Sequence, residues 1–165
     1  MSSEVAETPQ ATNAEDPPPP QGTARSAKIH VENKTSDPFK VQIIHKYTGE
    51  PVQASRFELL QPGDKKFMLK VTYTTGFWTT GVDNWKVHAV KLTETGEYDE
   101  DGNKMYKPEN WRTGHSLADD WKKHTLRSED DDKETWIRLY KNEVVFDSPS
   151  GTSTSEFKKG EYEGI

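Results

Sequence analysis

Two strand-like segments joined by a Thr- and Gly-rich loop occupy residues 67–90. Apolar residues alternate with mostly polar ones on both sides of the loop, which is the period of a half-buried β-strand. Gly76 and Gly81 flank the adjacent aromatic residues Phe77 and Trp78. Glycine adopts backbone angles that other residues avoid, so the loop can bend sharply and present these rings. The positions predicted to face inward are Phe67, Leu69, Val71, Tyr73, Trp85, Val87 and Ala89.

Length and aromatic content favour one small β domain. The chain of 165 residues is long enough for a single domain with an additional tail. Hydrophobic residues make up only 30% of it, so the core must use many of the five Trp, six Tyr and six Phe. Aromatic side chains bury large apolar areas, and this supply is sufficient for the interior of a small two-layer β protein.

Charge and cysteine content exclude several classes of function. The net charge is −6, from 22 basic and 28 acidic residues, and no basic stripe is present, which excludes a surface that tracks nucleic-acid phosphates. The absence of cysteine excludes disulfides, thiol catalysis and Cys-ligated zinc, and it favours a cytoplasmic location. Residues 1–27 lack the pattern of a signal peptide, and no apolar run reaches the roughly 18 residues of a membrane-spanning helix.

Three regions differ in composition. Residues 1–27 are acidic and rich in proline, contain no aromatic residue, and are predicted to be a disordered tail. The proline run at residues 17–20 fits either a polyproline ligand for an SH3 or WW domain or, more simply, a stiff spacer. Residues 28–147 are predicted to form the folded domain. Residues 148–165 are rich in Ser, Thr, Gly and Lys and are predicted to be a flexible end.

Short β-strands separated by turn residues run through the folded region. Asp101-Gly102 marks a hairpin turn within residues 98–106, and residues 116–121 fit a short helix. No segment before residue 110 has the 3.6-residue apolar period of a helix. The pattern predicts an all-β fold, an antiparallel β-sandwich of about eight strands.

Candidate catalytic and metal-binding groups are sparse. Asp99, Asp101 and Asn103 could supply oxygens to Ca²⁺. An EF-hand loop, however, needs a glycine and a bidentate acidic ligand at fixed positions, and this turn has neither in place. The pattern therefore favours a plain solvated turn. The five histidines have no spacing that places two metal ligands on one element, and we expect ordinary surface or sheet histidines. The hydroxyl-rich segment 148–155 has no neighbouring base in sequence, and no nucleophile elbow or phosphate-binding loop is present. We predict no enzyme activity, no metal and no cofactor.

The loop within residues 73–85 is the candidate ligand site. Its aromatic pair could stack on a sugar, enter a membrane interface or anchor a partner, or it could instead cap an open end of the sandwich. The threonines and the aspartate of the loop would supply hydrogen bonds at its rim, and Trp85 is predicted to lie in the core. The candidate site residues are Tyr73, Phe77, Trp78, Thr79, Thr80 and Asp83.

The string Tyr-x-Thr-Gly-Phe-x-x-Thr-Gly-x-Asp-x-Trp at residues 73–85 resembles the "up-regulated in daf" domain family. Residues 43–47 and Pro62-Gly63 are compatible with the same family, over residues 28–146. The resemblance implies a small, intracellular β-sandwich with no established biochemical activity and no catalytic residues. This chain differs from the family in its Pro-rich extension and in a longer charged insert at residues 94–120.

A more distant similarity in layout is to actinoporin-like sandwiches, which bind lipid or sugar through aromatic loops. The acidic, Pro-rich N-terminus cannot form the amphipathic helix needed for pore formation. We therefore expect a non-enzymatic binding or stress-related interaction module. The alternative is a peripheral lipid- or carbohydrate-binding protein. The partner is a protein, a glycan or a lipid head group.

Overall fold

The computed structural model of the chain describes residues 22–76, 81–114 and 121–162. Within these residues the regular structure consists of β-strands and one 3₁₀ turn at Ser128–Asp130, which confirms the all-β prediction. The strands are β1 (Thr23–Asn33), β2 (Phe39–Tyr47), β3 (Gln53–Ala54), β4 (Glu58–Leu60), β5 (Lys65–Thr75), β6 (Asp83–Tyr98), β7 (Lys104–Thr113), β8 (Lys122–Lys123), β9 (Glu134–Leu139), β10 (Glu143–Ser148) and β11 (Gly151–Lys159).

The described strands form one continuous sheet. Nine of them follow the order β3-β2-β6-β7-β11-β10-β9-β1-β5, with β4 and β8 paired to β2 and β6. The last strand, β11, holds the sheet together because its first part pairs with β10, while Phe157 and the two residues after it pair with β7. The structure is therefore a nearly closed barrel rather than the clear two-sheet sandwich that the sequence predicts.

The two end strands of the sheet are joined by a side chain. Gln53 lies on β3 and Thr72 on β5, and the Gln53 amide Nε2 donates to the Thr72 hydroxyl at 3.2 Å. In return, the backbone N–H of Thr72 donates to the Gln53 side-chain oxygen at 3.0 Å. A glutamine side chain thus replaces a backbone ladder at the position where the barrel closes.

The sheet is mixed, not purely antiparallel. Strands β1 and β9 run parallel, in a register from Lys28 opposite Glu134 to Asn33 opposite Leu139. All other pairings among the described strands are antiparallel. The sequence pattern missed the parallel pair because alternation of apolar and polar residues shows which face is buried, not the direction of the neighbouring strand.

Aromatic side chains supply much of the core, as composition predicts. Trp85 is fully buried, which confirms its predicted core position. A second aromatic group consists of Phe39, Phe157 and the half-buried Trp111, with ring centroids 5.3 to 6.2 Å apart. Such contacts stabilise a fold beyond the area that they bury.

A β-bulge reverses the predicted orientation of Phe67. Ile29 pairs with Leu69 but the next residue, His30, pairs with Phe67, so Met68 is the extra residue on β5. An extra residue shifts the alternation of side chains. Phe67 is consequently 55% exposed instead of facing inward, and Met68 packs against the core.

The C-terminal segment contributes a full strand to the sheet. β11 lies within residues 148–165, for which the sequence predicts a flexible end, and the structure corrects this prediction. Its anchor is the buried Asp130, whose Oδ1 accepts the Ser150 N–H at 2.8 Å and whose Oδ2 accepts the Ser150 hydroxyl at 2.5 Å. At the other end of the chain, β1 begins at Thr23, inside the predicted tail. The proline run lies outside the described residues.

Candidate functional site

The candidate loop connects β5 to β6, and its two stems are fixed to the core. Tyr73 is only 2% exposed, and its hydroxyl donates to the Arg127 carbonyl at 2.8 Å. Burial is the main cause that raises the pKa of this hydroxyl far above its ordinary value. Tyr73 therefore supports the loop from below rather than lining its rim. Four predicted site residues lie outside the described residues: Phe77, Trp78, Thr79 and Thr80.

Asp83, predicted at the rim, is in fact fully buried at the second stem. Its Oδ1 lies 2.7 Å from His45 Nε2, and its Oδ2 accepts the Leu126 N–H at 2.9 Å. The other ring nitrogen of His45 lies 3.1 Å from the Gln53 side-chain oxygen. A buried carboxylate needs such partners to compensate for lost hydration. Both oxygens of Asp83 are thus used inside the protein.

The second stem also approaches the end of β2 closely. A Cβ atom added to Gly81 would overlap the ring of Tyr47, so only glycine fits without displacement of that ring. Next to it, Val82 and Thr48 exchange hydrogen bonds: the Val82 N–H donates to the Thr48 hydroxyl at 3.0 Å, and the Thr48 N–H donates to the Val82 carbonyl at 3.1 Å. Close approach and hydrogen bonding together hold the loop's exit in one place.

An open cavity of about 280 Å³ lies beside the stems, and we call it the stem cavity. Residues 74–76 and Gly81 form one wall, and residues 125–129 form the other. This lining offers threonine hydroxyls and backbone groups for hydrogen bonding, and Glu129 supplies a carboxylate. It suits a polar ligand more than an apolar one.

A second open cavity, of about 420 Å³, lies near the same loop, and we call it the Lys46 cavity. Lys46 on β2, Asn84 on β6 and Lys123 on β8 stand opposite one another in register, so their side chains emerge on one face. Trp121 also lines this cavity, and the Lys86 ammonium lies 4.4 Å from its ring centroid. Lysine, amide and indole groups together can hold an anionic polar group.

Sequence reasoning missed a buried polar cluster around His124. Its Nε2 lies 2.8 Å from the Ser148 hydroxyl and its Nδ1 lies 2.6 Å from the Ser153 hydroxyl. Ser148 in turn bonds the Thr135 hydroxyl at 2.8 Å. Burial lowers the pKa of His124 to about 4. The serines therefore do have a base beside them, but it is neutral and enclosed, and no carboxylate orients it; only the folded chain reveals this contact.

The acidic turn in the β6–β7 hairpin is closed by its own aspartate. Asp99 Oδ1 accepts the N–H groups of Asp101 and Asn103, each at 2.9 Å. The bond from Asn103 is the main cause that lowers the Asp99 pKa. Among the residues described, no group of three or more His, Asp or Glu side chains is arranged to hold a metal ion. In this structure Asp99 holds the turn itself.

The chain is a small all-β protein in which hydrogen bonds fix both stems of the β5–β6 loop. The family described as "Up-Regulated in long-lived daf-2" matches residues 23–111 and 107–157, so the chain belongs to this family. The match confirms the resemblance noted at residues 73–85. No curated protein matches the chain. Across residues 22–76, 81–114 and 121–162, no helix has the length and apolarity needed to cross a bilayer.

Proposed function

We propose that this protein is a non-enzymatic, stress-related binding module of the cytoplasm, and that the β5–β6 loop is its recognition element. The observation that carries this proposal is the double anchoring of the loop through Tyr73 and Asp83. Binding residues commonly stand on loops that a rigid scaffold positions. A fixed support also reduces the entropy lost when a ligand is bound.

The proposed contacts divide into anchors and supports. Phe77 and Trp78 are the anchoring rings, and Thr79 and Thr80 provide hydrogen bonds at the rim. The stem cavity supplies a polar floor beside them. Asp83 acts as a support rather than as a ligand contact, because its carboxylate is committed to His45 and Leu126.

A binding role fits the buried polar groups better than catalysis does. His45 and Asp83 form the shortest imidazole–carboxylate contact in the described part of the chain, but both side chains are inaccessible. His124 and Ser148 are also buried, and His124 is neutral over most of the pH range. A general base must reach the substrate's proton through space or one water. These pairs are better explained as supports of the fold.

The test compares wild-type protein with the double variant Phe77→Ala/Trp78→Ala. Protein-interaction capture followed by titration of the purified partner should show loss of binding in the double variant, with an unchanged melting temperature. Phe67→Ala is the matched control, since Phe67 is an exposed aromatic residue away from the loop. If the double variant unfolds, or binds the partner as tightly as wild type, the loop is not the recognition element.

A second candidate function is recognition of lipid head groups or glycans at a membrane surface. The Lys46 cavity favours it, because Lys46, Asn84 and Lys123 converge on one face beside the loop. Lysines near an anionic bilayer each contribute about 1 kcal/mol of attraction. Vesicles of phosphatidylcholine with and without phosphatidylserine provide the probe, and tryptophan fluorescence provides the readout.

In that experiment, Lys46→Gln/Lys123→Gln should abolish a phosphatidylserine-dependent blue shift. Lys70→Gln/Lys40→Gln removes the same charge from exposed positions outside the row of Lys46, Asn84 and Lys123 and should leave the shift unchanged. The same protein titrated with soluble glycans distinguishes sugar from lipid recognition. A flat response of the wild-type protein to every vesicle and glycan excludes this second candidate and leaves a protein partner.

A further inference from the structure

We propose that a small pocket around Trp111 binds a single neutral sugar ring. The pocket encloses about 180 Å³ and lies between the β1–β2 loop, strands β6 and β7, and the β9–β10 turn. We call it the Trp111 pocket. It is separate from the β5–β6 loop, because Phe39 lines it at the start of β2 whereas the loop contacts Tyr47 at the end of that strand.

Trp111 provides a fixed aromatic wall. Its indole N–H donates to Glu109 at 2.8 Å, and its ring packs against Phe157 with centroids 5.3 Å apart. The side chain is only partly buried and lines the pocket, where the Lys91 ammonium lies 5.7 Å from its ring centroid. The face of an aromatic ring is electron-rich. It therefore attracts the C–H groups of a sugar ring, which carry partial positive charge because each carbon bears an oxygen.

Polar groups on the rim suit hydroxyls. Asp37 Oδ2 lies 3.4 Å from the Lys91 ammonium, and both side chains line the pocket. A hydroxyl both donates and accepts, so one ligand hydroxyl can bond a carboxylate while its neighbour bonds an ammonium. The exposed side chains of Ser36 and Asn142 add a hydroxyl and an amide. The Asp37–Lys91 pair balances its own charge, and Lys141 adds one exposed ammonium to the lining. A neutral polyhydroxylated ligand can bond to the carboxylate and to the ammonium groups, whereas a charged ligand of either sign would meet a like charge on the rim.

The rim is rigid before any ligand arrives. The fully buried Asn33 donates from Nδ2 to the Asp37 carbonyl at 2.8 Å and to the Leu60 carbonyl at 3.0 Å. Its Oδ1 accepts the Thr35 N–H at 3.0 Å. One asparagine side chain thus defines the turn that presents Ser36 and Asp37. Preorganisation of this kind reduces the cost of binding.

Size limits the ligand to one ring. Typical small-molecule pockets measure roughly 300–1,000 Å³, and this pocket is smaller. With few hydrogen bonds and one aromatic wall, we expect a dissociation constant of about 1 mM, as for a weakly held fragment. Of a longer glycan, only one sugar residue would occupy the pocket, and the other residues would extend over the protein surface.

The experiment is a titration of ¹⁵N-labelled full chain with glucose, galactose, mannose and N-acetylglucosamine, followed by NMR. The reporter is the Trp111 indole N–H signal, assigned by its loss in Trp111→Phe. We expect one sugar to shift this signal saturably at millimolar concentration. Asn142→Ala should weaken that binding about tenfold through loss of its hydrogen bonds. Ser36→Arg should abolish it by filling the pocket from an exposed position.

Thr154→Arg is the matched control, since Thr154 is exposed on β11 and lies outside the lining. It should bind the sugar as wild type does. Phenol is the contrasting probe, because it offers a ring of similar size with a single hydroxyl. The proposal is overturned if no sugar shifts the Trp111 signal, if phenol binds more tightly than every sugar, or if Ser36→Arg binds like wild type. None of these results bears on the β5–β6 loop, so the two proposals are tested independently.

Discussion

His45 Nε2 and Asp83 Oδ1 lie 2.7 Å apart at the point where β2 meets the start of β6, and neither side chain is exposed. Removing two polar groups from water is costly, and their mutual contact compensates only if the other polar atoms are also satisfied. Here Gln53 satisfies the second ring nitrogen and the Leu126 N–H satisfies the second carboxylate oxygen. The pair therefore connects the closing edge of the barrel to the stem of the candidate loop.

Substitution Asp83→Ala should destabilise the protein by about 3–5 kcal/mol, because it leaves the His45 Nε2 and the Leu126 N–H without a partner inside the core. Urea unfolding followed by fluorescence measures this change. Asp101→Ala is the control: it removes a carboxylate from an exposed hairpin turn and should change stability by less than about 0.5 kcal/mol. Equal stabilities of the two variants would contradict a structural role for the buried pair.

Stability should fall between pH 6.5 and about 4 because of His124. Burial lowers the pKa of this imidazole from 6.5 to about 4, and the nearby Lys122 acts in the same direction. Between these values the unfolded chain binds a proton that the folded chain does not. The stabilisation that the neutral His124 contributes is therefore fully present above pH 6.5. It decreases as the pH falls and is lost below about pH 4.

The loss from His124 amounts to roughly 3 kcal/mol at most. Urea unfolding at about pH 7.5 and about pH 4.5 measures it in wild type and in His124→Gln, which cannot take up the proton. The variant should be less stable at the higher pH but should lose less stability on acidification. Carboxylates titrate alike in both proteins, so they cancel in the comparison. Identical pH dependence would show that His124 is not the group responsible.

Gly81→Ala should destabilise the protein by about 1–3 kcal/mol, because the added methyl overlaps the buried ring of Tyr47 and the ring must move. Gly151→Ala is a matched control on β11, where an added Cβ meets nothing within 4 Å. That variant should be neutral or more stable by up to about 1 kcal/mol through reduced entropy of the unfolded chain. Thermal unfolding of the two variants compares them directly, and a smaller effect at Gly81 would refute the close packing of the stem.

The sequence predicts strand positions well wherever alternation continues without interruption. The second strand of the central pair is the clearest case, because Trp85, Val87 and Ala89 are all buried as the pattern predicts. The prediction fails at Phe67, where the bulge at Met68 inserts one residue and shifts the alternation. It also fails at His88, which alternates with the inward-facing Val87 and Ala89 and yet is buried, with Tyr162 stacked on its ring at 4.0 Å. Both failures depend on contacts between distant segments.

The place of the candidate loop between two strands was predictable from the sequence, but the contacts of its stems were not. The loop and its glycines are visible in sequence, and the close approach of Gly81 to Tyr47 gives one of those glycines a physical reason. The alternation predicts that Tyr73 faces inward, and it does. The role of Asp83 was not predictable, because an aspartate next to a loop has the same pattern whether it faces solvent or the core. The partners of Tyr73 and Asp83, Arg127 and His45, are 54 and 38 residues away in sequence.

Asp130 gives the last test, because it joins the 3₁₀ turn to the β10–β11 turn. Its carboxylate accepts hydrogen bonds from the Arg127 N–H at 2.7 Å and from both the N–H and the hydroxyl of Ser150. Asp130→Ala should release the β10–β11 turn and destabilise the protein by at least about 3 kcal/mol, the upper end of what a single hydrogen bond to a charged group contributes. The β10–β11 turn near Ser150 should open more readily than the rest of the barrel.

Hydrogen exchange measures that local opening through the amides of β11. In wild type, the residues of β11 up to Glu156 pair with β10 and the residues from Phe157 onward pair with β7, so the strand should be protected. In Asp130→Ala, amides near Ser150 should exchange first, and protection should be lost along β11 before it is lost in β1 or β2. Glu129→Ala, one residue earlier and exposed, is the control and should exchange like wild type. Uniform loss of protection over all strands would instead mean that β11 unfolds only with the whole barrel.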